Sequence, residues 1–248
     1  FRHGFLFIHT GKGIRSPRDL RGRRVGVPEY QLTVAVWLRG IVEDDFGVRP
    51  EEMEWVHGGL EEPGREEKVP LELPPGLRYE AIGPGKTLSR MLEEGEIDAL
   101  FTPRAPSCFV KGSPHVARMF PNYREVEEEY FRRTGIFPIM HTVVLRRSLY
   151  EQHRWLAMSL LKAFEEAKRL VMEQYRFTAA LHVTLPWLTD EVERTERLMG
   201  RDWWPYGVEP NRKALETFLR YHHEQGLSAR RMRIEELFAP ETLDQFRI

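Results

Sequence analysis

Cysteine is nearly absent: Cys108 stands alone, which excludes an intrachain disulfide framework and a cysteine-built zinc centre and fits a reducing compartment. An excess of charge of one sign is absent too. The 37 lysines and arginines face 38 aspartates and glutamates, for a formal net charge of -1, so no field steers the chain toward nucleic acid or an anionic membrane. Uninterrupted apolar runs are a few residues long, as in Phe5-Leu6-Phe7-Ile8, far below the ~20 that cross a bilayer. Metal-ligand spacing is missing as well. None of the nine histidines forms a His-x-x-x-His or Glu-x-x-His pair on a predicted helix, and the adjacent His222 and His223 would point apart, so no metal site is expected. No repeat of solenoid length and no heptad pattern is present. A soluble, cytoplasmic protein without nucleic-acid or membrane partners is the expectation.

What is present is core material. Hydrophobic residues make up 41% of 248, with 14 Phe, 6 Trp and 8 Tyr, enough for one large domain or two lobes of roughly 100–150 residues each. Phe1, not Met, opens the sequence, and Arg2-His3-Gly4 leads straight into an apolar run, which predicts further chain upstream.

Strands are expected over Phe5–Ile8, Arg24–Val27, Met53–His57, Leu77–Ile82, Ile97–Phe101 and Ile139–Leu145, each a short apolar or alternating run bounded by breakers. Ser16-Pro17 reads as a cap and first helical position. Helices are expected from Val34 to Gly47, Thr87 to Gly95, Tyr123 to Arg133, Trp155 to Tyr175, Thr189 to Met199 and Asn211 to Gln225, with a final helical tail from Ile234 to Phe246. In the longest, Leu156, Leu160, Phe164, Ala167 and Val171 mark an apolar face, with Glu165 and Arg169 spaced for an ion pair. Alternating strands and helices in the first half predict a parallel sheet, and Gly58–Pro75, rich in Gly, Pro and Glu, reads as a long loop.

Gly83-Pro84-Gly85-Lys86-Thr87 imitates a phosphate loop, but Glu80 stands where the motif needs glycine and Pro84 removes an amide donor, so an ordinary strand-to-helix turn is the better reading. Three other segments follow predicted strands: Pro28-Glu29-Tyr30-Gln31-Leu32-Thr33, Gly58 to Arg65, and Thr102-Pro103-Arg104-Ala105-Pro106-Ser107. In open parallel sheets ligands bind at the C-terminal strand ends, and an arginine fork there suits a carboxylate. Each segment alone is also an ordinary turn; their coincidence points to a small anionic ligand. His3, before the first strand, and His141, in the last, sit where proton transfer could use them, and each alone also reads as a hydrogen-bonded structural histidine.

These segments, with Phe1-Arg2-His3-Gly4, Pro138-Ile139-Met140-His141 and Trp204-Pro205-Tyr206-Gly207, resemble the 4,5-dihydroxyphthalate decarboxylase family over nearly the whole chain. Most specific are Val25 to Gln31, Gly58 to Arg65, Ala99 to Phe109 and Leu237-Phe238-Ala239-Pro240-Glu241. The resemblance implies an α/β, two-lobed fold similar to type 2 periplasmic solute-binding proteins, with parallel or mixed sheets and a helical C-terminal part. Its lobes would be 1–22 with 140–248, discontinuous, and 23–139, inserted, with a cleft between them. Family members carry an N-terminal section of several dozen residues that this sequence does not contain.

The activity implied is decarboxylation of a dihydroxylated aromatic dicarboxylate, 4,5-dihydroxyphthalate to protocatechuate and CO2, with no organic cofactor and no metal. Carried onto this sequence, His3 and His141 supply acid-base function, and Arg2, Tyr30, Gln31, Thr33, Glu62, Arg65, Arg104 and Ser107 bind substrate. The alternative is a non-catalytic solute-binding protein for a small aromatic carboxylate, which needs donors for the ligand but no titrating group aimed at a ring carbon; a different enzyme on the same fold, such as one of thiamine-pyrimidine synthesis, is a third reading. A small aromatic carboxylate is the expected partner, and assembly into a homo-oligomer stays open.

Overall fold

The computed structural model describes residues 1–243. By contact density the chain divides into two units: Phe1–Glu129 with Thr217–Arg231, and Tyr130–Glu216 with the chain from Met232 on. This division differs from the expected lobes, 1–22 with 140–248 and 23–139, because the first strand pairs inside the first unit's sheet.

That sheet has six strands: β1 (Leu6–His9), β2 (Arg24–Val27), β3 (Glu54–His57), β4 (Arg78–Ala81), β5 (Ala99–Phe101) and β6 (Val116–Arg118), in the order β4-β3-β2-β5-β1-β6. Five strands point the same way, β2 to β5 pairing in parallel, whereas β1 runs opposite between β5 and β6. The sheet is therefore mixed. Alternation along each strand divides the core into two layers. Leu6, Ile8, Val25, Val27, Trp55, Ala99 and Phe101 face α1 (Thr33–Phe46), which buries Val34, Ala35, Leu38 and Val42. Phe7, Val56 and Leu100 face the other way, onto Leu88, Met91 and Leu92 of α2 (Leu88–Glu93) and onto Cys108 of α3 (Ser107–Val110). The Ser16 expectation holds as a capping box: Ser16 Oγ accepts from the Arg18 amide at 3.2 Å, and Asp19 accepts from the Ser16 amide at 2.9 Å.

Four further helices complete the description with α4 (Tyr123–Thr134): α5 (Arg147–Gln152), α6 (Trp155–Arg176), α7 (Leu188–Met199) and α8 (Arg212–Glu224). In the first unit, Phe218 and Tyr221 set their rings 5.4 and 5.7 Å from that of Trp37 on α1. In the second unit, Arg176 of α6 bonds Glu196 of α7 at 2.7 Å, Lys168 holds Asp202 at 3.0 Å, and Asn211 closes the Trp204–Gly207 turn through the Pro205 and Gly207 carbonyls.

Several expectations are corrected. Ile139–Leu145 is irregular rather than a strand. A strand needs a hydrogen-bonded neighbour, and among the described residues the second unit contains no strand to pair with it. The Ile234–Phe246 tail forms two short 3-10 turns, Ile234–Glu236 and Pro240–Thr242; its end, Asp244 to Phe246, lies outside the described residues. Arg169 pairs with Glu166 and Glu173, while Glu165 goes to Lys168. No helix among the described residues is long and apolar enough to cross a membrane.

Candidate functional site

Within the first unit the parallel strands β2, β3 and β5 end on the three segments singled out in the sequence. Tyr30, three residues past the end of β2, contributes its ring to the core: it is fully buried, edge-on to Trp55 at 6.0 Å and Tyr79 at 5.5 Å. The fully buried guanidinium of Arg39 lies 3.6 Å from the centre of the same ring and donates to the Tyr30 carbonyl at 2.6 Å. What Tyr30 offers a ligand is thus its backbone N–H. That amide, the Tyr79 hydroxyl and the Gln31 side chain all donate to Glu67. Burial and the neighbouring carboxylate push the Tyr79 hydroxyl well above the usual tyrosine range, so it stays a donor. Thr33, half-buried, opens α1.

The segment after β3 is shaped by Gly59. A Cβ there would sit 1.5 Å from the Glu62 carbonyl oxygen, so only glycine permits this turn. Beyond it, Arg65 forks onto Glu29 with its Nε at 2.8 Å, and Glu29 is 2% exposed; the sequence assigned Arg65 to substrate, and the structure gives it this buried carboxylate. Glu62 is exposed.

After β5, a 280 Å³ pocket is lined by Leu60, Glu61, Arg104, Ala105, Ser107, Val110 and Lys111. Glu61 crosses from the β3 segment to accept both the Ser107 amide at 2.7 Å and its hydroxyl at 2.6 Å. Thr102 Oγ1 donates to the Arg104 carbonyl at 3.0 Å and fixes the local turn. Neither Arg104 nor Lys111 makes an ion pair among the described residues; both line the pocket alongside Glu61. Lys111 was not anticipated. Its signal, a lysine one turn beyond the Pro106-Ser107 helix start, is common in sequences and carries little information.

Histidines mark the remaining chemistry. His3 is 2% exposed, with Nδ1 4.0 Å from Glu127 and its ring edge-on to Phe120 at 5.7 Å. Burial raises the Glu127 carboxyl above its usual range. Arg2 stacks over Phe5 at 5.4 Å. His141 belongs to the second unit and is exposed in the irregular segment. His57, unanticipated, ends β3 and stacks on Tyr79 at 4.5 Å; burial holds it below the ordinary histidine range against the opposing charges of Glu67, Glu29 and Glu66. Among the described residues, no three His, Cys, Asp or Glu side chains gather as a metal ion requires.

Comparison with known proteins places these features. No family model matches the chain. The 4,5-dihydroxyphthalate decarboxylase of Comamonas testosteroni is 44% identical over 248 residues, all of this chain and 75% of that protein. The enzyme of the same name from Pseudomonas putida is 45% identical over 132 residues, 53% of this chain and 51% of its own length. The periplasmic aliphatic sulphonate binding protein SsuA from Escherichia coli superposes with a TM-score of 0.50 at 12% identity, covering 98% of this chain and 71% of that one. The structural likeness establishes the fold. With identity of this order across its full length, the chain belongs to the 4,5-dihydroxyphthalate decarboxylase family, on an α/β fold like that of the periplasmic binding proteins.

Proposed function

We propose that the chain acts on 4,5-dihydroxyphthalate, releasing CO2 and forming protocatechuate. The observation that carries this reading is the 44% identity along all 248 residues to a decarboxylase of that name. The pocket supports it: Arg104 and Lys111 line it together with Glu61 and the apolar Leu60, Ala105 and Val110, a mixture that suits an aromatic ring carrying carboxylates. Aryl decarboxylation needs the ring carbon bearing the carboxylate to be protonated, since direct loss of CO2 would leave an aryl anion. Withdrawal of the proton from the hydroxyl para to that carbon raises its electron density; an acid delivers a proton to it; the carbon–carboxylate bond then breaks, and its electron pair restores the aromatic ring. The net change is one proton taken up and one CO2 released.

Arg104 is assigned to the retained carboxylate, its planar fork matching two oxygens. Proton transfer is assigned to His3 and His141, tested singly. His57 joins them as a candidate base, because a histidine of lowered basicity is neutral near pH 7 and can accept the hydroxyl proton. The test is incubation of the protein with 4,5-dihydroxyphthalate, following CO2 and protocatechuate together. Release of both in equal amounts is expected; saturable binding without either product would replace this reading with that of a solute-binding protein.

A further inference from the structure

Tyr30 and Gln31, two residues expected to bind substrate, are already holding a carboxylate, and it belongs to the chain. The Tyr30 N–H and the Gln31 side-chain amide come from the turn between β2 and α1, and the Tyr79 hydroxyl from β4; all converge on Glu67. Glu67 itself lies in the irregular stretch 58–77 between β3 and β4. Its neighbours Glu66 and Lys68 are exposed. Two of the three donors lie just past the C-terminal end of β2, where parallel sheets bind ligands.

A second observation points to an anion at this place. Arg39 is fully buried, yet its hydrogen bonds go to neutral acceptors, the Gln225 Oε1 at 2.8 Å and the Tyr30 carbonyl at 2.6 Å, and its Nη1 has no partner. A guanidinium shut away from water requires a negative charge close by. Besides its burial, Tyr30 and Tyr79 act most on its charge and Glu67 after them, Glu67 being the carboxylate of the three. If Glu67 leaves, the buried cation and three donors remain, and they call for another carboxylate in the same position.

We propose that the Tyr30 N–H, the Gln31 amide and the Tyr79 hydroxyl form a carboxylate site backed by Arg39, in which Glu67 stands in for a carboxylate of the substrate, and that the substrate binds there by displacing it. This rests on the reading of the substrate as an aromatic dicarboxylate. Glu67 is then an internal competitor, and the 58–77 stretch carries it out of the way when ligand arrives. The rival account is a plain latch, in which Glu67 fastens the stretch and nothing replaces it.

Phthalate, which has both carboxylates but lacks the hydroxyls, is the probe, with binding measured by calorimetry on the whole chain. Glu67→Ala is expected to tighten phthalate binding about tenfold, Glu67→Gln by less because it keeps hydrogen bonds to the same donors, and Glu66→Ala not at all. Adding Gln31→Leu to Glu67→Ala should take most of the gain away. Unchanged or weaker binding in Glu67→Ala overturns the proposal in favour of the latch, as does equal tightening in Glu66→Ala, which would reflect overall charge. Should Glu67→Ala fail to fold, Glu67→Gln decides: binding no tighter than wild type overturns the proposal. Turnover of 4,5-dihydroxyphthalate is scored separately, so wild-type protein that binds phthalate but forms no product removes the decarboxylase reading while leaving the displacement result intact.

Discussion

Replacing Gly40 with alanine tests how the first unit holds its site. An ideal Cβ on Gly40 would lie 2.3 Å from Cγ and Cδ2 of Tyr221, whereas ordinary contact begins at 3.4 Å, so the ring or its helix must retreat by roughly 1.1 Å. The ring is not free to turn: its hydroxyl donates to Asp44 at 2.6 Å and it meets Trp37 edge-on at 5.7 Å. Overpacking of this kind costs up to about 3 kcal/mol, and the better helix propensity of alanine returns about 1 kcal/mol. The net loss is about 2 kcal/mol, a fall in Tm of about 4–8 °C for a chain of this size. The displacement also reaches the site, because Gln225, just past α8, donates to the Val36 carbonyl at 2.9 Å and accepts from buried Arg39 at 2.8 Å. Thermal melting of Gly40→Ala in wild-type and Tyr221→Ala backgrounds is the assay. The loss should appear in the first and vanish in the second; an unchanged or raised Tm in the wild-type background, or an equal loss in both, would refute the reasoning.

The sequence carried the strands whose apolar runs fill a layer by themselves, such as Val25 and Val27 of β2 or Ala99 to Phe101 of β5. It did not carry β6, three residues with no usable period, nor the antiparallel setting of β1, because pairing is decided by partners far along the chain. Ile139–Leu145 shows the same limit from the other side: its composition suits a strand, and Val143 and Val144 nevertheless stand 66% and 83% exposed without one to join. Helical periodicity located α6 but not what covers it, since Phe164 and Val171 of its apolar face are each 42% exposed. At the site, breakers after β2, β3 and β5 were visible as positions, while the roles assigned to them depended on contacts that spacing cannot show. Arg39 reads as a surface charge on a helix, and only the structure puts it under Tyr30. Glu67 reads as one acid among many in a loop, and only the register of β4 brings Tyr79 to it.

Three further outcomes are expected. Arg104→Lys keeps the charge but loses the fork, so it should weaken carboxylate binding by about 1–3 kcal/mol with Tm unchanged, since Arg104 makes no ion pair among the described residues; wild-type affinity by calorimetry would remove the clamp. His141→Asn should lower turnover by about 100-fold or more while leaving binding and Tm near wild type, and near-normal product formation would end its catalytic assignment. The last concerns pH. His57, His9 and His222 are all held below the ordinary 6.5, in each case chiefly by burial. Between the folded and unfolded values the unfolded chain binds more protons, so unfolding free energy rises with pH in that window, and stability is lost as pH falls through and below 6.5. Glu43 and Glu127, raised above 4.5 chiefly by burial, act in the opposite sense, since their contribution is present at low pH and disappears as pH rises through their folded values. The two trends are separated by His57→Phe, which keeps a ring to stack on Tyr79 and removes the titration. Its Tm should fall less than that of wild type between about pH 7.5 and about pH 5.5, and identical slopes for the two proteins would show that His57 takes up its proton as easily folded as unfolded.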